Sequence, residues 1–174
     1  MIKKTAVALV TASILPPAIA QAEEPWTGFY FGGQVGASRL SAQVGDALEA
    51  DSDTSYGLFA GYDKQFGNNF VIGGEIDLTE AGYKAGGISG DVETVRAKFR
   101  AGYAFGPSMV YGTVGAAHFD DGNSHDKGTS LGIGYSYITA SNTVLGVEYL
   151  VDDFDGFGKG ASAETLNFRA SFKF

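Results

Sequence analysis

Apolar and polar residues alternate without a break over the last stretch of the chain. Leu166, Phe168, Ala170, Phe172 and Phe174 share one parity; Asn167, Arg169, Ser171 and Lys173 share the other. A period of two marks a β-strand with one oily and one wet face, because successive side chains point to opposite sides. The alternation recurs upstream. Segment 27–38 sets Phe29, Phe31, Val35 and Ala37 against Tyr30, Gln34 and Ser38, and 54–66 sets Tyr56, Leu58, Ala60 and Tyr62 against Gly57, Phe59, Gly61 and Asp63. Segment 70–78 opposes Phe70, Ile72, Ile76 and Leu78 to Glu75 and Asp77, and 93–105 opposes Val95, Ala97, Phe99, Ala101 and Tyr103 to Arg96, Lys98 and Arg100. Segment 109–118 is ambiguous in phase, with Val110, Val114 and Ala116 assigned to the oily face. Segment 129–139 gives Leu131, Ile133, Tyr135 and Tyr137, and 143–151 gives Leu145, Val147, Tyr149 and Val151 against Gly146 and Glu148.

Eight strands are therefore predicted, joined by two kinds of connection. Those at 67–69, 106–108 and 140–142 are short turns, whereas those at about 40–53, 80–91, 119–128 and 152–163 are longer and rich in Gly, Asp and Ser. Short turns on one rim and long loops on the other describe an all-β, eight-stranded antiparallel transmembrane barrel of up-and-down meander topology. An even strand count puts both chain ends on the short-turn rim. The structural rival is a soluble barrel of the lipocalin type, with apolar residues inside around a ligand. Here the oily face is broad and aromatic, and the other face is crowded with Gly and charges. That arrangement fits a cramped polar interior and a lipid-facing exterior.

The amino terminus reads differently. Lys3 and Lys4 precede an apolar run from Thr5 to Leu15, and Ala18-Ile19-Ala20-Gln21-Ala22 offers small residues for cleavage. This predicts a secretory signal peptide over 1–22, cut after Ala22 or Ala20, and a barrel domain over 23–174. Loss of two lysines and no acids takes the formal charge from −8 to −10. With no basic patch to neutralise phosphates, nucleic acid is not expected as a partner. The chain has no Cys, so no disulfide or thiolate metal site is available. It carries 26 Gly beside 13 Phe and 9 Tyr, a mixture that disorder does not explain and closely packed strands do.

The stretch Trp26-Thr27-Gly28-Phe29-Tyr30-Phe31-Gly32-Gly33-Gln34-Val35-Gly36 resembles the first strand of the opacity-protein-like small outer-membrane proteins. Ala101-Gly102-Tyr103, Val110-Tyr111-Gly112-Thr113 and the terminal Phe174 resemble later strands of that family. The resemblance covers the whole chain after the signal peptide, and its Gly/aromatic motifs specify fold far better than activity. It implies an outer-membrane-protein-A-type barrel, exported through the secretory pathway and surrounded by outer-membrane lipids and lipopolysaccharide. It further implies that Phe172 and Phe174 are read by the barrel-assembly machinery, and that roles lie in envelope integrity and in contact with host or surface ligands through the loops. The peptidoglycan-binding domain of larger relatives is expected to be missing beyond Phe174.

One constellation of side chains could carry chemistry. Glu75, Asp77, Arg96, Lys98, Arg100, Glu148 and Arg169 all fall on inward positions at similar heights. Six residues or so from the periplasmic rim, at about 3.3 Å per residue and a tilt near 40°, place them roughly 15 Å up, near mid-bilayer. Such a belt either fills the lumen and fixes strand register, or forms a gate of exchangeable salt bridges in a narrow conduit. Catalysis finds little support: His118 and His125 flank a polar loop containing Ser124, and no orienting third group is identifiable for a lipid A-hydrolysing site. The acidic loops (Asp46, Glu49, Asp51 and Asp53; Asp120, Asp121 and Asp126; Asp152, Asp153 and Asp155) lack the spacing of a calcium loop. They form a charged rim, or bridge to lipopolysaccharide through divalent cations. The Gly-rich stretches 86–90 and 156–160 open no helix and so are not phosphate loops. No cofactor is called for. Trp26, Tyr30, Tyr62, Tyr103, Tyr111, Phe172 and Phe174 are assigned to interfacial aromatic girdles.

Overall fold

A computed structural model describes residues 24–44, 47–85, 88–120, 125–154 and 161–174, with side chains over 24–39, 54–81, 93–118, 127–153 and 162–174. The expected signal peptide lies outside the described residues. The strands are β1 (Gly28–Val44), β2 (Ala47–Gln65), β3 (Phe70–Ala85), β4 (Ile88–Phe105), β5 (Ser108–Asp120), β6 (His125–Ile138), β7 (Thr143–Phe154) and β8 (Ala161–Lys173). Each pairs antiparallel with its neighbour, and β1 pairs with β8 from Tyr30↔Lys173 to Ser41↔Ser162, closing the barrel. Closure satisfies every strand edge, which a lipid environment requires because it offers no water to unpaired backbone groups.

The alternation decides which way the sheet faces. Phe29, Leu58, Ile76, Phe99, Leu131 and Phe168 all point outward, with Phe29 and Leu58 each 67% accessible. The opposite parity is buried and polar: Gln34, Asp77, Arg96, Thr113, Ser136 and Asn167 line the interior. A water-soluble barrel would reverse this. The ambiguous strand β5 takes the expected phase, with Val110 and Val114 exposed.

The three described turns on the short rim explain its tightness. Asn69, Gly106 and Asn142 adopt φ of 66°, 64° and 59°, the left-handed region that Gly and Asn tolerate best. The turns after Phe66 and Thr139 are built alike: Asn69 N–H donates to Phe66 O at 2.8 Å, and Asn142 N–H to Thr139 O at 3.1 Å. Each turn also ties to the adjoining strand, through Ala104 N to Asn69 O, Ile138 N to Pro107 O and Lys173 N to Asn142 O.

The opposite rim departs from expectation. Most of the residues assigned to long loops are strand: β1 and β2 stay paired up to Val44↔Ala47, and β3 and β4 up to Ala85↔Ile88. With 19 residues, β2 is far longer than the roughly 9–11 that cross a bilayer. Above the membrane neither face needs to be apolar, so the ladder continues after the hydropathy signal has ended. The residues connecting these hairpins lie outside the described set.

Apolar packing concentrates at the short-turn mouth. Trp26, Val71, Ala104, Met109, Tyr111 and Ile138 form a buried cluster with Val144 against it. Residues 24–27 turn so that Trp26 enters the barrel. Thr27 N–H donates to Glu24 O, Trp26 N–H to Gln65 Oε1 and Gln65 N–H to Thr27 Oγ1. Lys64 Nζ holds Glu24 Oε2 at 2.7 Å. The predicted girdle is corrected here: Trp26, Tyr30 and Tyr111 are buried inside the barrel, because their parity is inward. Tyr62 and Tyr103 do face outward, packed edge-to-face on Phe29 and Phe70, while Phe172 and Phe174 are half-buried.

Candidate functional site

Above the apolar mouth the lumen is filled by charge. Among the described residues the buried ionisable carboxylates are Asp63, Glu75, Asp77, Glu148 and Asp152, and the buried cations are Arg96, Lys98, Arg100, Arg169 and Lys173. Five of each sign make the interior formally neutral. Neutrality matters because an uncompensated buried ion costs several kcal/mol, about 3–5 when its partner is deleted.

Cross-strand register builds the network. Glu75 faces Lys98 and Asp77 faces Arg96 across β3 and β4, while Glu148 faces Asn167 across β7 and β8. At mid-height Lys98 Nζ lies 2.8 Å from Glu75 Oε1, 2.7 Å from Asp77 Oδ2 and 2.7 Å from Glu148 Oε1. Ligand atoms of these three carboxylates lie within 4.8 Å of one another, a donor set suited to a cation. The cation that the chain itself supplies there is the Lys98 ammonium.

Arg169 bridges the tiers. Its Nη1 is 2.7 Å from Glu148 Oε2 and its Nη2 2.7 Å from Glu75 Oε2. Arg100 shares Glu75 Oε2 at 3.0 Å, and the Tyr30 hydroxyl donates to that oxygen at 2.9 Å. Towards the long-hairpin rim, Arg96 holds Asp152 at 2.6 Å and Asp77 at 3.3 Å. Towards the mouth, Asp63 lies 3.4 Å from Lys173 and 3.8 Å from Arg100. Aromatic faces carry part of the cationic load: the guanidinium of Arg169 sits 3.8 Å from the Phe59 ring centre, and that of Arg100 4.1 Å from Tyr111.

The structure thus places all seven sequence-derived lumen residues in one cluster and adds three charges. Asp152 is corrected from an acidic loop to an inward position on β7, because that strand runs on to Phe154. Asp63 and Lys173 were legible by parity, two steps from inward Gly61 and four from Arg169. His118 is exposed on the outer face of β5; the side chains of Ser124 and His125, and most of the acidic rim, lie outside the described residues.

A closed barrel with an oily exterior and a neutral, salt-bridged lumen is what residues 5–174 also match as a family, that of the outer membrane protein beta-barrel domain. The chain belongs to this family. No curated protein matches it significantly in sequence. Among solved structures this outer-membrane barrel is similar to Neisserial surface protein A, at 20% identity over 85% of this chain and 98% of that one, with a TM-score of 0.63. It is also similar to Ail, the attachment invasion locus protein of Yersinia pestis, at 18% identity over 85% and 99% of the two chains, TM-score 0.56. A third likeness is to the outer membrane enzyme PagL, at 15% identity over 82% and 99%, TM-score 0.51. At these identities the shared property is the fold. The protein is an integral barrel of the Gram-negative outer membrane, in contact with its lipids.

Proposed function

We propose that this outer-membrane barrel is a non-enzymatic envelope component, a sealed scaffold that holds its long hairpins at the cell surface for structural or adhesive contact. The observation that carries this reading is the lumen: ten paired charges over an apolar mouth stoppered by Trp26. An eight-stranded barrel has room inside for little more than its own side chains. Partners in this reading are lipopolysaccharide at the outer rim, host or surface ligands at the hairpins, and the barrel-assembly machinery, which reads Phe172 and Phe174 during insertion. Purified barrel in planar bilayers is expected to be silent, and its deletion to raise envelope sensitivity to detergent. Stepwise conductance from the wild type would overturn the sealed reading.

A narrow gated channel is the second reading, favoured by shared partners. Glu75 Oε2 serves Arg100 and Arg169 together, so an arginine could change carboxylates without leaving the network. It requires conductance that changes on neutralising Glu148 or Arg100. The likeness to an outer membrane enzyme keeps an enzymatic reading testable, and for the lipid A hydrolysis considered from the sequence, lipid A masses that shift with expression of this chain would contradict the non-enzymatic reading.

A further inference from the structure

A groove of about 1200 Å³ runs obliquely over the outer wall, between two rows of residues set by strand register. Leu145, Ala170, Gly33, Leu58 and Leu78 stand opposite one another in turn and form one row. Phe168, Val35, Tyr56, Glu80 and Glu93 form the other in the same way. Both rows have the outward parity, and the backbone between them is the floor. The first row dips where Gly33 faces Ala170, since neither carries more than a methyl group. The second ends on two carboxylates directly opposite each other, Glu80↔Glu93.

Like charges directly opposite on a sheet repel, and among the described residues no cation pairs with Glu80 or Glu93. From Glu93 to Phe168 the second row crosses four strand spacings, about 19 Å at about 4.8 Å each. With strands tilted near 40°, that path descends roughly 12 Å, half of an apolar band of about 25 Å. The groove therefore leads from a carboxylate pair at the headgroup level of the long-hairpin side to an apolar dip near mid-bilayer. It is one leaflet deep. The outer wall is in contact with lipid, so the occupant is a lipid tail, and the carboxylates select the head. They repel a bare phosphate and accept charge-assisted hydrogen bonds from an ammonium. We propose that this groove holds one lipid with an amine-bearing headgroup. Its ammonium lies between Glu80 and Glu93, and its acyl chain runs past Tyr56 and Val35 into the Gly33–Ala170 dip.

The test is native mass spectrometry of the folded barrel released from vesicles of equal parts phosphatidylethanolamine and phosphatidylglycerol. One phosphatidylethanolamine per barrel is expected, retained about tenfold over phosphatidylglycerol, the factor that a charge-assisted hydrogen bond supplies. Glu80→Gln and Glu93→Gln together should bring the two lipids level while the barrel stays heat-modifiable. Gly33→Leu should lower retention of both by filling the dip. An added Cβ there meets nothing closer than 3.6 Å, so the variant folds. Gly74→Leu, on an outward position outside both rows, should change neither lipid. Equal retention by the wild type, or retention indifferent to Gly33→Leu, would overturn the proposal. So would phosphatidylglycerol held only with millimolar calcium, which would assign the two carboxylates to a metal bridge.

Discussion

Tyr111 and Gly134 stand directly opposite each other across β5 and β6, and the tyrosine ring occupies the space a side chain at 134 would need. Tyr30 and Gly61 repeat the arrangement across β1 and β2. These two inner-face glycines are thus the seats of the lumen tyrosines, whose hydroxyls and rings in turn hold Arg169 and Arg100. Gly134→Ala and Gly61→Ala should each destabilise the barrel by about 1–3 kcal/mol through overpacking. Denaturant unfolding in detergent micelles or lipid vesicles checks this. The outward Gly74, with nothing closer than 4.0 Å to an added Cβ, serves as the control and should accept Ala at little cost.

Lys98 gives the largest expected effect. Lys98→Met removes the cation that touches all three clustered carboxylates, leaving them within 4.8 Å of one another and paired only from their flanks by Arg169, Arg100 and Arg96. Stability at neutral pH should fall by about 3–5 kcal/mol, the cost of breaking a buried ion pair from one side. Because that donor set suits a hard cation, millimolar manganese or calcium should restore part of the loss. The wild type, its site filled by the ammonium, should respond little. Unfolding with and without the metal, measured on both proteins, separates the outcomes.

The amino-terminal tether predicts a pH effect of known sign. The hydrogen bond and charge of Lys64 hold the Glu24 carboxyl below its ordinary value. A lowered folded-state value means the contribution is present above the ordinary carboxylate range and lost as pH falls through the lowered one. Wild type and Glu24→Gln should therefore differ at neutral pH and converge in acid. The difference will be small, since the pair is exposed, and Trp26 emission is the sensitive readout.

Phe174 stacks on Phe31 with ring centres 5.7 Å apart, and its amide N–H donates to Phe29 O at 2.8 Å, so the last residue sits on the β1–β8 seam. Phe174→Ala should lower the fraction of protein reaching the folded, heat-modifiable form in cells. Refolding of the purified variant into detergent should be affected less. Equal losses in both settings would assign the residue to packing instead of recognition by the assembly machinery.

The membrane-crossing part of the fold was legible because lipid imposes a hard parity rule, obeyed from Phe29 to Phe172. What lay above the bilayer was not legible: once both faces meet water, strand pairing such as Ala85↔Ile88 leaves no hydropathy trace. The same limit hid Asp152, which counted as a rim acid only because β7 was ended three residues early. Trp26, Tyr30 and Tyr111 were misplaced for a different reason. Position near a strand end suggested an interfacial ring, whereas parity, applied to each residue, would have sent both tyrosines inward.

The two faces of this wall place unequal demands on the chain. Outward positions ask only for a residue that lipid accepts, so Phe29, Leu58 or Ile76 could be exchanged among apolar types with little consequence. Lumen positions are held in complementary sets, where a change at Glu75 must be answered at Lys98, Arg100 or Arg169. A wall of this kind can drift far in spelling while its shape stays fixed, which is how 20% identity with Neisserial surface protein A can coexist with overlap of nearly that protein's whole length.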